Sequence, residues 1–205
     1  MTRMIAIAAV LIAVAGMGAL YLMGSGEPED QFAQCRASSI AGGAGEIGGP
    51  FTLVSETGET VTDADVITRP ALIYFGYTFC PDVCPIDTVR NADAIDLLRE
   101  DGRDMLPVFI SIDPERDTPE VMAQYTEYLH DDMLGLTGTP EQVAAVSQAY
   151  RTYYRKQDTE DEFYLVEHST FSYLVLPEHG FVEFFRRELS PEQLAEQAAC
   201  FLDAA

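Results

Sequence analysis

The chain has no tryptophan, only 3 histidines and 4 cysteines, and few cations: 12 Lys+Arg stand against 34 Asp+Glu in 205 residues, a formal charge of −22. So acidic a chain repels phosphate backbones, which excludes nucleic acid as a partner. The acidity is spread along the sequence, as on a solvated, self-repelling surface, and is not gathered into a docking tail. Internal repeats and low-complexity tracts are absent. Hydrophobic residues at 47% and charged residues at 22% exclude wholesale disorder. The length suits one domain plus an appendage.

Long hydrophobic runs are absent except for one. Met4 to Met23 is 20 residues without a charged side chain. At about 1.5 Å per residue it spans roughly 30 Å, the hydrocarbon thickness of a bilayer. Arg3 precedes it; Glu27, Glu29 and Asp30 follow. Positive charge stays cytoplasmic, so the reading is a single-pass inner-membrane anchor with the remainder in the periplasm. Cleavage after Ala15 is the alternative. Residues 24–46, rich in Gly, Ser and Ala, read as a linker. Gly43-Ala44-Gly45-Glu46-Ile47-Gly48 fits G-x-G-x-x-G. A linker precedes it and Gly49-Pro50 follows, so it lacks the strand and helix of a dinucleotide site.

Residues 47–205 read as one α/β domain. Phe51–Val54 and Thr60–Thr62 form a hairpin around Glu56-Thr57-Gly58. Ala71–Tyr77 and Leu106–Ile112 are buried strands, with a helix over 86–99 between them. Thr118-Pro119-Glu120, Thr139-Pro140-Glu141 and Ser190-Pro191-Glu192 each open a helix. These run to about His130, Arg151 and Leu202. Met133–Leu136 is a short strand and 151–156 is extended. Phe171–Leu176 and Phe181–Phe185 form a second hairpin. This order predicts a thioredoxin-like, mainly parallel sheet flanked by helices.

Cys80 and Cys84 lie between a buried strand and the start of a helix, where α/β folds place their sites. A helix N-terminus favours the thiolate, the form that ligates metal or attacks a disulfide. The Cys-x-x-x-Cys pair can close a disulfide or present two sulfurs to one ion. His168, in a loop before the strand at 171, is the expected third ligand; a hydrogen-bonded structural histidine is the alternative. Two thiolates and an imidazole suit Cu(I), or a site that also holds Cu(II). A structural zinc site would have four protein ligands. His130 and His179 read as surface residues. Met105, Met122 and Met133 read as core filler.

The stretch Tyr74-Phe75-Gly76-Tyr77-Thr78-Phe79-Cys80-Pro81-Asp82-Val83-Cys84-Pro85 resembles the signature of the Sco/SenC copper-chaperone family. So do Ser111-Ile112-Asp113-Pro114-Glu115-Arg116-Asp117-Thr118, Gly135-Leu136-Thr137-Gly138 and His168-Ser169. The similarity covers roughly residues 47–201. It implies a thioredoxin-like domain on a membrane anchor, with copper held by Cys80, Cys84 and His168. It implies assembly of the dinuclear copper centre of cytochrome c oxidase subunit II, with a periplasmic donor of the copper. The rival is a thiol-disulfide oxidoreductase that keeps the cysteines of that subunit reduced. A peroxidase would need a lone activated Cys with a nearby Arg and Thr, which Pro81-Asp82 does not offer. The family usually has Asp before the His; here it is Glu167. Asp113 and Asp117 are either turn and cap residues or groups that fix the site loop. Cys35 and Cys200 lie outside the signature. In an oxidising compartment they either pair with each other or stay free or intermolecular.

Overall fold

The computed structural model describes residues 14, 16–18, 30–36, 47–159 and 163–205. The chain divides into two compact units, residues 1–34 and 35–205. In the first, residues 14 and 16–18 are helical, and the Asp30 carboxylate accepts the Phe32 N–H at 3.1 Å in a turn. The expected anchor, residues 4–23, lies almost wholly outside the described residues, as do residues 24–29 and 37–46 of the expected linker. Among the described residues no helix is long and apolar enough to cross a membrane.

The second unit is built on a seven-stranded sheet. Its elements are β1 (Thr52–Ser55), β2 (Thr60–Thr62), α1 (Asp63–Val66), β3 (Ala71–Gly76), α2 (Val83–Glu100), β4 (Leu106–Ser111) and α3 (Pro119–Leu129). Then come β5 (Leu134–Thr137), α4 (Pro140–Ala149), β6 (Tyr154–Lys156), β7 (Val166–His168), β8 (Ser172–Leu176), β9 (Gly180–Phe185) and α5 (Pro191–Ala204). The strand order is β2-β1-β5-β4-β3-β8-β9, and β6 with β7 forms a separate two-stranded sheet.

The expectation of a mainly parallel sheet is corrected: the sheet is mixed. Only β3–β4 and β4–β5 pair in parallel; β1–β2, β1–β5, β3–β8 and β8–β9 are antiparallel. The reason is the connection. A parallel strand needs a crossover that returns the chain to the start of its neighbour. After α4 the β6–β7 hairpin intervenes, and Ser172 enters opposite Tyr74, near the C-terminal end of β3. The strand β8 therefore runs down against β3. His168, four residues before Ser172, stays at the end where β3 delivers Cys80.

The local signals explain the elements. Every residue of β3 is buried, as a strand covered on both faces requires. The hydroxyls of Thr118, Thr139 and Ser190 accept the N–H groups of Val121, Gln142 and Gln193 at 3.3–3.4 Å, each with Pro in the first turn. Helix α2 opens at Val83 rather than at residue 86. Pro85 is tolerated there because the first-turn N–H groups have no intrahelical acceptor. Helix α2 packs along α5 and beside α3. Met105, Met122 and Met133 are all buried, as core filler.

Cys35 and Cys200 are joined by a disulfide, with α-carbons 5.6 Å apart across 165 residues of sequence. Beside it the Arg36 guanidinium donates to the Val182 carbonyl. The bridge pins the start of this unit to its last helix. Chain entropy gives a ceiling of about 5 kcal/mol for a loop of this length, and native bridges typically contribute about 2–4 kcal/mol. Cys200→Ser should lower the denaturant midpoint by a corresponding amount while leaving far-ultraviolet dichroism unchanged. An unchanged midpoint would show that the bridge does not stabilise the fold.

Candidate metal centre

Strand β3 ends at Gly76, and the chain turns through Tyr77–Asp82 into α2. This turn puts Cys80 just ahead of the helix and Cys84 in its first turn. The Cys84 N–H donates to the Cys80 sulfur at 3.4 Å. His168, the last residue of β7, brings Nε2 to 3.3 Å from the Cys84 sulfur. The two sulfurs and an imidazole nitrogen all lie within 4.8 Å of one another. The structure therefore brings Cys80, Cys84 and His168 together at one end of the sheet.

The imidazole is held in one orientation. Its Nδ1 lies 2.8 Å from the Ser169 carbonyl, to which the Nδ1–H donates. In the neutral ring that bond leaves the Nε2 lone pair facing the sulfurs, and in the protonated ring Nε2–H donates toward them. The rings of Tyr74 and Tyr77 meet the imidazole edge-on, with centroids 6.3 and 5.9 Å away. The Tyr74 hydroxyl donates to Asp87 at 3.0 Å. Burial raises the Asp87 carboxyl above its ordinary range, against the pull of Tyr74 and Arg187. Glu167 points elsewhere. Neighbouring strand residues face opposite sides, and Glu167 pairs with Arg155 across β6–β7 at 2.9 Å.

The two thiols differ sharply. A hydrogen bond from the Cys84 side chain lowers the Cys80 thiol to about 3; His168 and the N–H groups of Asp82 and Cys84 add to this, against the cost of burial. Cys84 is raised, first by that same bond to Cys80 and then by complete burial. One sulfur thus holds the negative charge while the other keeps the proton. Cys80 retains 9% of its surface; Cys84 retains none.

Asp117 fixes the loop between β3 and Cys80. Its buried carboxylate accepts the Thr78 N–H at 3.1 Å, the Thr78 hydroxyl at 2.6 Å and the Ser111 hydroxyl at 2.5 Å. Burial raises its carboxyl despite these donors. Asp113 binds Arg116 at 2.5 Å and accepts the Tyr164 hydroxyl at 2.6 Å. Both aspartates therefore act on the site loops, beyond ordinary turn chemistry. Two expectations change. His168 sits in a strand, not a loop. His130 is no bare surface group: its side chain is 11% exposed and reaches Asp96 at 3.1 Å. His179 is exposed, as expected. Sequence reasoning passes over Arg116, Tyr77 and Tyr164. The signals for them are Tyr77 within the Tyr74–Pro85 stretch and the arginine within the Ser111–Thr118 stretch.

The asymmetry sets a pH dependence. A lowered Cys80 makes the folded state bind fewer protons than the unfolded chain between about 3 and the ordinary thiol value of about 8.5. Its contribution to stability is complete above that ordinary value and is lost as pH falls toward 3. Iodoacetamide should accordingly modify Cys80 in the reduced protein at a rate that stays level from pH 8 down to 5, with Cys84 modified only on unfolding. A Cys80 rate that titrates near pH 8.5 would contradict the assignment.

The SCO1/SenC family model matches residues 41–203. Protein SenC of Rhodobacter capsulatus is 51% identical over 203 residues, covering 99% of this chain and 91% of the relative. The crystal structure of Arabidopsis thaliana ScoI with copper bound superposes with a TM-score of 0.73 at 41% identity, over 77% of this chain and 98% of that one. Bradyrhizobium japonicum ScoI with copper bound gives 0.69 at 38% identity, over 76% and 99%. The fold is thioredoxin-like. By family model, sequence and fold together, the chain belongs to the SCO1/SenC family.

Proposed function

We propose that this chain is a membrane-anchored copper carrier that loads the dinuclear copper centre of cytochrome c oxidase subunit II. The observation that carries the reading is the convergence of Cys80 Sγ, Cys84 Sγ and His168 Nε2 within 4.8 Å. Soft thiolates suit Cu(I), and the imidazole extends the set to Cu(II). Three donors leave copper open to attack by an incoming thiolate, as delivery requires. The partial exposure of Cys80 supports exchange at the surface. The oxidase enters through family membership. A periplasmic protein that itself binds copper would supply the metal.

A second reading has its own support, the contrast between the two thiols. The Cys80 thiolate would attack a disulfide of the client, forming a mixed disulfide and releasing one client thiolate. Cys84, once deprotonated, would then attack Cys80 and release the other. Two electrons pass to the client, and Cys80–Cys84 becomes a disulfide. Copper transfer needs His168 as a ligand, whereas thiol exchange draws on it only as a minor support of the Cys80 thiolate, after Cys84.

Titration of the reduced protein with Cu(I) and Cu(II), alongside oxidase assembly, separates the readings. Cys84→Ser and His168→Ala should each lower copper affinity by at least the 10–100-fold that changes around a metal site cost. His168→Ala should also fail to support assembly. Wild-type assembly by His168→Ala would replace copper delivery with thiol reduction.

The anchor rests on residues 4–23, with Arg3 before them and acidic residues after. It holds the functional domain on the periplasmic face of the inner membrane, beside a membrane-bound client. The protein should stay with the membrane through a high-salt wash. Recovery as a soluble form beginning near Gly16 would establish cleavage instead.

A further inference from the structure

The two arms of the metal centre come from different sheets. Cys80 and Cys84 follow β3 of the large sheet; His168 ends β7 of the two-stranded sheet. Among the described strands, the backbone pairing of β7 is with β6 alone. The histidine arm is tethered to β3 only through the three residues 169–171 and the Tyr74–Ser172 pairing of β8, and no ladder joins β7 itself to the cysteine turn. Side chains complete the link between the arms, and one of them touches both.

Arg116 follows β4 and its side chain is 20% exposed. Its Nε donates to the Asp113 carboxylate at 2.5 Å, and its Nη1 donates to the Tyr164 carbonyl at 3.1 Å. The guanidinium carbon lies 3.6 Å from the Tyr164 ring centroid, 4.8 Å from that of Phe79 and 5.7 Å from that of Tyr77. Tyr164 in turn donates its hydroxyl to Asp113 at 2.6 Å. Tyr77 and Phe79 belong to the turn that ends at Cys80. Tyr164 leads into β7 and His168. The Val166 N–H donates to the Tyr77 hydroxyl at 3.3 Å, closing the link on the side nearest the imidazole.

We propose that Arg116 is a positioning residue that holds the β6–β7 hairpin against the cysteine turn, and so decides whether bound copper gains a nitrogen ligand beside its two sulfurs. The inference rests on the reading that Cys80, Cys84 and His168 hold copper. A guanidinium is well matched to this role. Being planar, it stacks on aromatic faces while donating in its own plane, and so fixes two segments at once, which an ammonium does not. Loss of the clamp frees the hairpin to draw away and leaves the sulfurs where α2 puts them. Two thiolates alone retain Cu(I); Cu(II), which favours nitrogen donors, is lost first. Arg116 therefore separates the two oxidation states without touching the metal.

Arg116→Met keeps the length of the side chain and removes the fork. Arg116→Lys keeps the charge toward Asp113 alone. The full chain carrying each change is compared with wild type and with His168→Ala. The readouts are Cu(I) and Cu(II) affinity, the sulfur-to-Cu(II) absorption band, the Cu(II) paramagnetic resonance and the His168 ring resonances of the metal-free protein. Arg116→Met should lower Cu(II) affinity on the order of 10–100-fold, shift both Cu(II) spectra toward those of His168→Ala, and move the His168 resonances. Cu(I) affinity should change much less, and Arg116→Lys should fall between. Should Arg116→Met fail to fold, the pair Asp113→Asn with Arg116→Met, which removes both charges, carries the same expectation. Wild-type Cu(II) spectra in a folded variant overturn the proposal. So does an equal loss of Cu(I) and Cu(II) with the His168 resonances in place. Wild-type Cu(II) spectra in His168→Ala would instead bring down the three-ligand reading and this inference with it.

Discussion

A β-carbon placed on Gly76 would stand 3.0 Å from the Cys84 sulfur and 2.9 Å from the Phe109 ring. Side chains do not approach that closely in a packed interior, and Phe109 is itself fully buried. The absence of a side chain at the end of β3 is what lets the first turn of α2 settle against the strand. From that approach the rest follows. Cys84 is sealed from solvent, its N–H meets the Cys80 sulfur, and His168 finds the Cys84 sulfur within 3.3 Å. A methyl group at residue 76 would displace the sulfur that contacts both Cys80 and His168.

The remaining architecture keeps that arrangement from relaxing. Asp117 ties the cysteine turn to the end of β4 through three hydrogen bonds from Thr78 and Ser111. The Ser169 carbonyl commits one imidazole nitrogen and leaves the other for the sulfurs. Tyr74 and Tyr77 wall the ring on two sides. Such support holds the three donors in a fixed arrangement.

Much of this is written locally in the chain. The three Ser/Thr-Pro-Glu starts and the apolar runs of β3 and β4 are signals contained within a few residues, and the elements follow them. The three proposed ligands are marked by chemistry: few cysteines and histidines exist, and only Cys80 and Cys84 stand at a strand-to-helix junction. What the local pattern does not encode is direction and partnership. Nothing within Ser172–Leu176 states that it runs antiparallel to β3; that depends on where the preceding hairpin leaves the chain. Val166-Glu167-His168 is too short for a period, and its partner Tyr154–Lys156 is exposed over two of its three residues. Arg116 reads as a charged turn residue until Phe79 and Tyr164, 37 and 48 positions away, are seen around it. His130 is misread for a similar reason, because its partner Asp96 lies 34 positions away on α2.

The Cys35–Cys200 bridge makes oxidation during maturation a question of sequence in time. In the unfolded chain, Cys80 and Cys84 are four positions apart, whereas Cys35 and Cys200 are 165 positions apart. By chain entropy alone the short ring closes more readily, by about 3 kcal/mol. An oxidant that reached the nascent chain would therefore link Cys80 to Cys84 first. Folding offsets the difference, since it sets the α-carbons of Cys35 and Cys200 5.6 Å apart. Collapse ahead of oxidation therefore favours the Cys35–Cys200 bridge, and the order of those two events bears on which pair of thiols is oxidised first.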